Sequence, residues 1–208
     1  MMPRNFLFFA LATGLLTGCL PRSDQTRFYF LSAPAAGPPA AAVEGDKVFL
    51  VGLRITSAEY LRTRQMLVEL GANQLRLSVE NQWQETPQAG FARIVAGRFA
   101  RKLPDCQLTA LPVATTNRSE LVLEIELRSL QGRLKPRSEA EVSAEVRILD
   151  ANGRLLEREE MRRTSPWSQT RPPAAYPTLA AAESRAAAEL ADAIGEKVLE
   201  WHRRIARR

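Results

Sequence analysis

Two stretches of the chain alternate apolar and polar residues with a period of two, and this pattern restricts the possible folds more than any other feature of the sequence. The alternation runs over residues 121–128 and again over 142–148. Because successive side chains of a strand point to opposite faces, both stretches are predicted to be strands with one buried face. The turn "DANG" at 150–153 leads into a charged third arm, 154–164, which suits an exposed edge. The sequence therefore predicts an antiparallel meander.

Two more strands are predicted near the start of the chain, on either side of a linker. Residues 28–31 form an aromatic run that is typical of a strand. Residues 47–55 are almost continuously apolar, which indicates an interior strand with both faces covered. Between them, residues 32–45 are mostly alanine, proline and glycine, and we expect them to form a linker or long loop.

A β-hairpin is predicted over residues 65–79. The strand-like segments 65–70 and 74–79 flank "GAN", whose glycine and asparagine favour a tight turn. The second arm alternates apolar and polar side chains, so one of its faces is expected to be dry. The apolar residues of that face are Leu75, Leu77 and Val79.

Two amphipathic helices are predicted in addition. Thr86 and Pro87 provide an N-cap and a first helical residue for a helix over 87–103. Its polar face is basic and could bind phospholipid headgroups or simply be solvated. The residues of this face are Arg93, Arg98, Arg101 and Lys102. A long second helix, from about residue 178 to the basic C-terminus, has one apolar stripe.

The N-terminus has the layout of a secretory signal. Arg4 precedes an apolar run over 6–16, which is about half of the roughly 20 residues that a membrane-spanning helix needs. The run ends in "LTGC" at 16–19, which resembles a bacterial lipobox, where the cysteine is lipidated and becomes the new N-terminus. We therefore predict a signal peptide over 1–18 and lipidation of Cys19. The alternatives are a structural or disulfide-bonded cysteine and a retained membrane anchor.

Lipidation of Cys19 would leave the second cysteine of the sequence without a partner in the same chain. Cys106 is therefore predicted to be a small buried apolar residue. The net charge of +6 favours anionic partners. An exported protein does not meet nucleic acid, so an anionic membrane surface is the natural candidate partner. The alternative is that these charges are simply solvated.

Residues that could support catalysis are few. The only histidine, His202, lies in the basic end of the last helix without an acid or nucleophile nearby in sequence, and we expect it to be structural or solvated. Glu159 and Glu160 fit a solvated edge strand. Motifs for serine hydrolases, zinc, nucleotides and dinucleotides are absent from the sequence. We expect a protein that is not an enzyme and has no cofactor or metal.

The order of several short motifs resembles a known family. After the lipobox comes "RFYFL" with Phe28 and Tyr29, then a Tyr60–Leu61 step followed by arginine, then Trp83 followed by an acid and a proline. Two alternating strands and an alanine-rich C-terminal helix complete the pattern. This arrangement resembles the ABC-type transport auxiliary lipoproteins, the PqiC-like family, over nearly all of the chain after Cys19.

The resemblance implies a single layered α/β (α+β) domain with a mixed, largely antiparallel sheet and two main helices, similar to the anticodon-binding-domain-like architecture. It implies a domain over 28–205, joined to the lipidated cysteine by a tether over 19–27. Candidate partner or packing contacts are the aromatic and aliphatic motif residues, for which core packing is the simpler interpretation. They are Phe28, Tyr29, Tyr60, Leu61 and Trp83.

The resemblance also implies a function and a location. The family members act beside an ABC transporter and a periplasmic MCE-domain protein that move lipids between the two membranes of a Gram-negative envelope. The implied protein is anchored by its acyl chains to the periplasmic face of the outer membrane, supports envelope integrity, forms homo-oligomers and contacts phospholipid. Leu20 after Cys19, rather than aspartate, is similar to lipoproteins released to the outer membrane. The alternatives are a structural or assembly-associated lipoprotein and, less favoured, an envelope hydrolase.

Overall fold

The structure, a computed structural model, describes residues 25–32, 48–111, 119–134, 136–168 and 175–207. The predicted signal peptide, Cys19 and nearly all of the predicted linker lie outside these ranges. Within them the chain forms eight strands, two α-helices and a short 3₁₀ turn.

Each of the two helices follows a run of four strands along the chain. They are β1 (Arg27–Tyr29), β2 (Phe49–Ser57), β3 (Gln65–Gly71), β4 (Gln74–Trp83), α1 (Pro87–Lys102), β5 (Cys106–Ala110), β6 (Leu121–Arg133), β7 (Glu139–Asp150), β8 (Leu155–Pro166) and α2 (Ala175–Ala206). The 3₁₀ turn, Glu59–Leu61, joins β2 to β3.

The strands form one mixed sheet around β6. On one edge of β6, β7 pairs antiparallel along its length, and β8 pairs antiparallel with β7. On the other edge, residues 51–57 of β2 run parallel to 121–127, and Glu69 of β3 lies opposite Arg133 farther along. The sheet therefore divides beyond β6 into two arms, β2–β5 and β3–β4–β1. This confirms the predicted mixed sheet, in which the longest pairings are antiparallel.

Both helices pack on one face of the sheet. Helix α2 contacts β6, β7, β8 and α1, whereas α1 contacts β2, β5 and α2. The two alternating strands turn their apolar residues to this face, as predicted, and Leu121, Leu123 and Val142 are fully buried. Gly132 lets α2 approach β6 closely, since a Cβ there would lie 2.9 Å from Leu179 Cδ1. Within the described ranges no helix covers the opposite face, which we call the helix-free face.

Several local predictions are confirmed. Strands β3 and β4 form the predicted hairpin, and Asn73 adopts a φ of 63°, a left-handed conformation that asparagine tolerates. Helix α1 begins at Pro87, and its N-cap Thr86 accepts a hydrogen bond at 3.3 Å from the Ala89 N–H. Helix α2 begins at Ala175, earlier than the predicted residue 178. The charged arm β8 is an edge strand, as expected.

The prediction that both faces of 47–55 are covered is correct only for the first half of β2. Phe49, Val51 and Leu53 are buried, but Arg54 is exposed on the helix-free face. There its guanidinium donates a hydrogen bond at 2.7 Å to Glu124 of the neighbouring strand. The apolar run therefore corresponds to a buried segment in the first half of β2. In the second half, where β2 pairs with the charged part of β6, one face of the strand is exposed.

The prediction of a dry face on the second hairpin arm is wrong. Leu75, Leu77 and Val79 are all exposed. Leu75 lies opposite Glu69, and residues that pair directly in a sheet point to the same face. Glu69 binds Arg133 on the helix-free face, at 3.1 Å, so the apolar side of β4 also faces away from the helices. Alternation identified the strand correctly but could not tell which face the helices cover.

Candidate functional site

Charged residues line the helix-free face of β2, β6, β7 and β8, because strand register places them side by side. One row across the four strands consists of Arg54, Glu124, Arg147 and Arg158. The adjacent row consists of Thr56, Glu126, Glu145 and Glu160. An open groove of about 210 Å³ lies between these rows on the β2, β6 and β7 side. The face is therefore strongly polar, with positive and negative rows next to each other.

Glu145 is the centre of this polar surface. Its carboxylate accepts hydrogen bonds from Arg128 at 2.6 Å, from Arg147 at 2.8 Å and from Arg158 at 2.9 Å. Directly opposite glutamates would repel one another, and three guanidinium groups offset this repulsion. The hydrogen bonds from Arg158 and Arg147 lower the pKa of Glu145 to about 2. Glu145 therefore remains ionised at neutral pH and holds three strands together.

A second ionic cluster follows along the same face. Arg133 lies 3.1 Å from Glu69 and donates to Glu141 at 2.9 Å, which links β3, β6 and β7. Between the clusters, a bulge in β6 adds Arg128, whose carbonyl accepts a hydrogen bond at 2.6 Å from the Tyr60 hydroxyl. The carboxylates at the centre of both clusters are bound by arginine. Such a surface can stabilise the sheet and offer a polar contact area.

The predicted contact residues do not form one site. Leu61 and Trp83 are buried in the core. Tyr29 is partly buried and donates its hydroxyl hydrogen bond to Asn81 at 3.2 Å, and burial raises its pKa. Tyr60 covers part of the polar face, where burial and the nearby glutamates raise its pKa. Phe28 is 53% exposed on the edge strand β1.

An exposed apolar surface adjoins β1, and sequence reasoning missed it. We call it the hairpin surface. Its residues are Phe28, Phe30, Leu75, Leu77 and Val79, with exposed fractions from 38% at Leu75 to 72% at Val79. The alternation in "RFYFL" does place Phe28 and Phe30 on one face of a strand, so part of this surface was visible in the sequence. The sequence pattern could not show which face of the strand the helices cover.

The basic face of α1 is partly used inside the protein. Arg98 forms a two-point ion pair with Asp192 of α2, and Lys102 lies 2.8 Å from the same carboxylate. Arg93 donates to the Leu31 carbonyl at 2.8 Å. These contacts join the two helices and fix the segment after β1. Because these cations already have contacts within the protein, fewer of them are available to bind phospholipid headgroups than the sequence suggested.

A buried acid lies on the apolar stripe of α2, and the sequence analysis did not single it out. Glu183 is fully buried, and neither of its carboxyl oxygens has a hydrogen-bond partner in the part of the chain that the structure describes. Burial raises its pKa well above the ordinary value. Burial therefore favours the neutral form of this carboxyl group. The signal in the sequence was an acid four residues after Leu179 on a helix whose apolar stripe includes that leucine.

Cys106 and His202 have the structural roles that the sequence predicted. Cys106 is a free, buried thiol whose pKa is raised by burial to about 12. The His202 ring stacks on Phe49 with centroids 3.8 Å apart. Among the described residues, no group of three potential ligands is placed to bind a metal. The helices of the described ranges are also too short or too polar to span a membrane.

The same fold occurs in crystal structures of other proteins. Protein XCC0632 from Xanthomonas campestris, assigned to family DUF330, superposes with a TM-score of 0.72 at 13% identity, over 88% of this chain and 100% of that one. The crystal structure of an uncharacterized protein superposes with a TM-score of 0.65 at 12% identity, over 84% of this chain and 99% of that one. At such low identity the similarity defines the class of fold, an α+β domain with an open mixed sheet.

The family follows from a sequence model that covers most of the chain. The model of the ABC-type transport auxiliary lipoprotein component matches residues 29–195. The matched segment begins at the last residue of β1 and ends within α2, so it includes strands β2 to β8 in full. The chain belongs to this family, as the sequence motifs indicated. No curated protein matches it.

Proposed function

We propose that this protein is an accessory, non-catalytic lipoprotein subunit of an ABC transport system that moves lipids between the two membranes of a Gram-negative envelope and supports envelope integrity. The observation that carries the proposal is the family match over residues 29–195, because the family is an auxiliary component of ABC-type transport. The arrangement of the polar face is consistent with a binding role. Its central carboxylate, Glu145, is bound by three arginines and has a low pKa, which suits contact with a protein partner.

The proposed location is the periplasmic face of the outer membrane. Acyl chains on Cys19 would anchor the protein, and more than one chain gives stable attachment, since each buried CH₂ contributes about 0.8 kcal/mol. The "LTGC" motif at 16–19 and Leu20 support this location. The first strand, β1, begins at Arg27, so an acylated Cys19 would be joined to the fold by a short tether.

The proposed partners are the ABC transporter subunits and a periplasmic MCE-domain protein, with phospholipid as the transported material and further copies of this chain as neighbours. These partners come from the family resemblance. A polar sheet face can support such contacts because charged residues at an interface steer association and fix the register of the partners.

Copurification tests this function. The full-length protein, tagged at its C-terminus and produced at its natural level, is solubilised from envelopes in mild detergent. We expect MCE and transporter subunits to copurify with it, and we expect a deletion strain to become sensitive to detergents. A matched Cys19→Ala variant should keep its fold but lose acylation and membrane fractionation. Isolation without transporter subunits, together with normal permeability of the deletion strain, would contradict the proposal.

The second candidate is a structural or assembly-associated lipoprotein. It shares the Cys19 anchor, so membrane fractionation does not distinguish the two. Recovery of peptidoglycan or of an unrelated assembly complex in the same purification would favour it.

A further inference from the structure

The hairpin surface is apolar although it is exposed. Phe28, Phe30 and Val79 are 53%, 62% and 72% exposed, and large side chains at such exposure are costly in water. Scattered exposed apolar residues are ordinary, whereas several on one face indicate a binding surface. Whether these residues share a face is decided by strand register.

Strand pairing places β1 and the second hairpin arm on the same face. Phe28 lies opposite Gln82 of β4. Gln82 in turn lies opposite Gln65 of β3, and Leu77 lies opposite Leu67. The register shifts between these pairs, because two residues of β3 lie opposite five of β4. Along β3 itself, Gln65 and Leu67 alternate in step with Glu69, which lies opposite Arg133 on the helix-free face. Phe28 and Leu77 therefore project from the helix-free face at neighbouring positions. Leu75 follows on the same face of β4, and the exposed Phe30 directly follows the end of β1.

The direction of β1 links this surface to the tether. Strands β1 and β4 are parallel, and Arg27 lies opposite Asn81. Residues 74–79 precede Asn81 in β4, so β1 begins at the end of the sheet where residues 74–79 lie. A tether from Cys19 would therefore enter the domain on the side of the β3–β4 hairpin.

The length of the tether keeps the hairpin near the bilayer. Even fully extended, the eight residues from Cys19 to Arg27 span at most roughly 26–29 Å. A less extended tether brings β1 and the hairpin closer still. The tether does not direct a second copy of the chain to this surface, whereas the bilayer that would hold the acyl chains lies within its reach.

We propose that the hairpin surface rests on the phospholipid bilayer that holds the acyl chains of Cys19, with Phe28, Phe30, Leu75, Leu77 and Val79 inserted among the headgroups. This inference rests on the anchoring part of the proposed function. The contact gives the domain a second point of attachment and so fixes its orientation. The tether alone would let the domain rotate. The polar face is then presented to periplasmic partners at a defined angle.

Depth-dependent fluorescence quenching tests the contact. The lipidated, full mature protein is reconstituted into vesicles of phosphatidylethanolamine and phosphatidylglycerol, with one environment-sensitive thiol probe introduced by Phe30→Cys or by Val79→Cys. The matched control is Leu155→Cys, because Leu155 is also an exposed apolar residue, 51% exposed, but lies on the opposite edge strand, β8. Native Cys106 does not compete, since its buried thiol has a pKa of about 12.

The expected result is a blue shift at positions 30 and 79, with quenching by nitroxide lipids labelled at the headgroup or upper chain and with protection from aqueous iodide. Interfacial side chains of this kind insert only about 5–10 Å, so a nitroxide near the bilayer centre should quench little. The probe at 155 should be quenched by iodide and by neither nitroxide lipid.

Two outcomes would overturn the bilayer contact in anchored protein. The first is equal iodide quenching at positions 30, 79 and 155. The second is protection at 30 and 79 without lipid quenching, accompanied by cross-links between copies, which would assign the surface to a second copy of the chain. Protein that fails to float with the vesicles would instead overturn the Cys19 anchor, and the bilayer contact with it.

Discussion

Replacing the buried Glu183 by leucine is expected to stabilise the domain. The carboxyl group is fully buried, and neither oxygen has a hydrogen-bond partner among the described residues. A buried polar group without a partner costs about 1–3 kcal/mol. Leucine has a similar size and adds apolar contact on the stripe that already contains Leu179. The variant should therefore be more stable by about 1–3 kcal/mol where the wild-type carboxyl is protonated in both the folded and the unfolded state.

The gain from Glu183→Leu should increase with pH. Burial raises the pKa of Glu183 well above its ordinary value of 4.5, so the folded state keeps a proton that the unfolded state releases. A raised pKa in the folded state contributes stability that is complete below 4.5 and is lost as the pH rises through the raised pKa. Over that interval each pH unit costs the wild type about 1.4 kcal/mol relative to the variant.

Urea unfolding from about pH 5 to about pH 8 measures this difference. Glu183→Gln serves as a second variant, because it removes the titration while nearly keeping the shape. Glu189→Gln, at an exposed position of the same helix, is the matched control and should change stability by at most about 0.5 kcal/mol. The reasoning would be refuted if the difference in unfolding free energy between the wild type and Glu183→Gln stayed the same at every pH. It would also be refuted if Glu183→Leu were less stable than the wild type throughout.

Three further substitutions have expected effects on stability. Gly132→Ala should destabilise the domain by about 1–3 kcal/mol in urea unfolding, since the new Cβ would lie 2.9 Å from the buried Leu179. Gly97→Ala is the control, because nothing lies within 4 Å of its Cβ position on the exposed side of α1, and it should stabilise by about 0.5–1 kcal/mol. Glu145→Gln should lower the urea midpoint at neutral pH. The lowered pKa of Glu145, about 2, contributes stability above its ordinary value of 4.5 that is lost as the pH falls toward 2, so the variant should lose less on acidification. If Glu145→Gln lost as much stability on acidification as the wild type, the expectation for Glu145 would be contradicted. Equal effects of the two alanine substitutions would contradict the expectation for Gly132.

Much of the fold was predictable because local patterns record it. The two-residue period of 121–128 and 142–148, the hairpin turn before Gln74 and the cap at Thr86 each depend on residues close together in the chain. The buried state of Cys106 was predictable as well, from composition and compartment. The sequence showed the residues of the polar face only as charged residues along the strands. It did not show that they lie next to one another.

The polar face could not be predicted because it depends on register between distant strands. The bulge at Arg128 inserts one residue between the pairs Leu127–Ala144 and Ser129–Ser143. A one-residue insertion exchanges the two faces of a strand, so it decides which later side chains of β6 join the core and which join the ionic clusters. Nothing in the local sequence around Arg128 indicates this bulge.

The sequence by itself determined most of the strands, both helices and the family, since each of these depends on short-range patterns of apolar residues and on motifs. The lipidation of Cys19 is a prediction from such a motif. Only the tertiary structure decided that Leu75, Leu77 and Val79 face solvent, that Glu183 is buried and that three arginines surround Glu145. The physical reason is that an alternating strand offers two different faces. Which of them is buried depends on where two helices, distant in sequence, pack against the sheet.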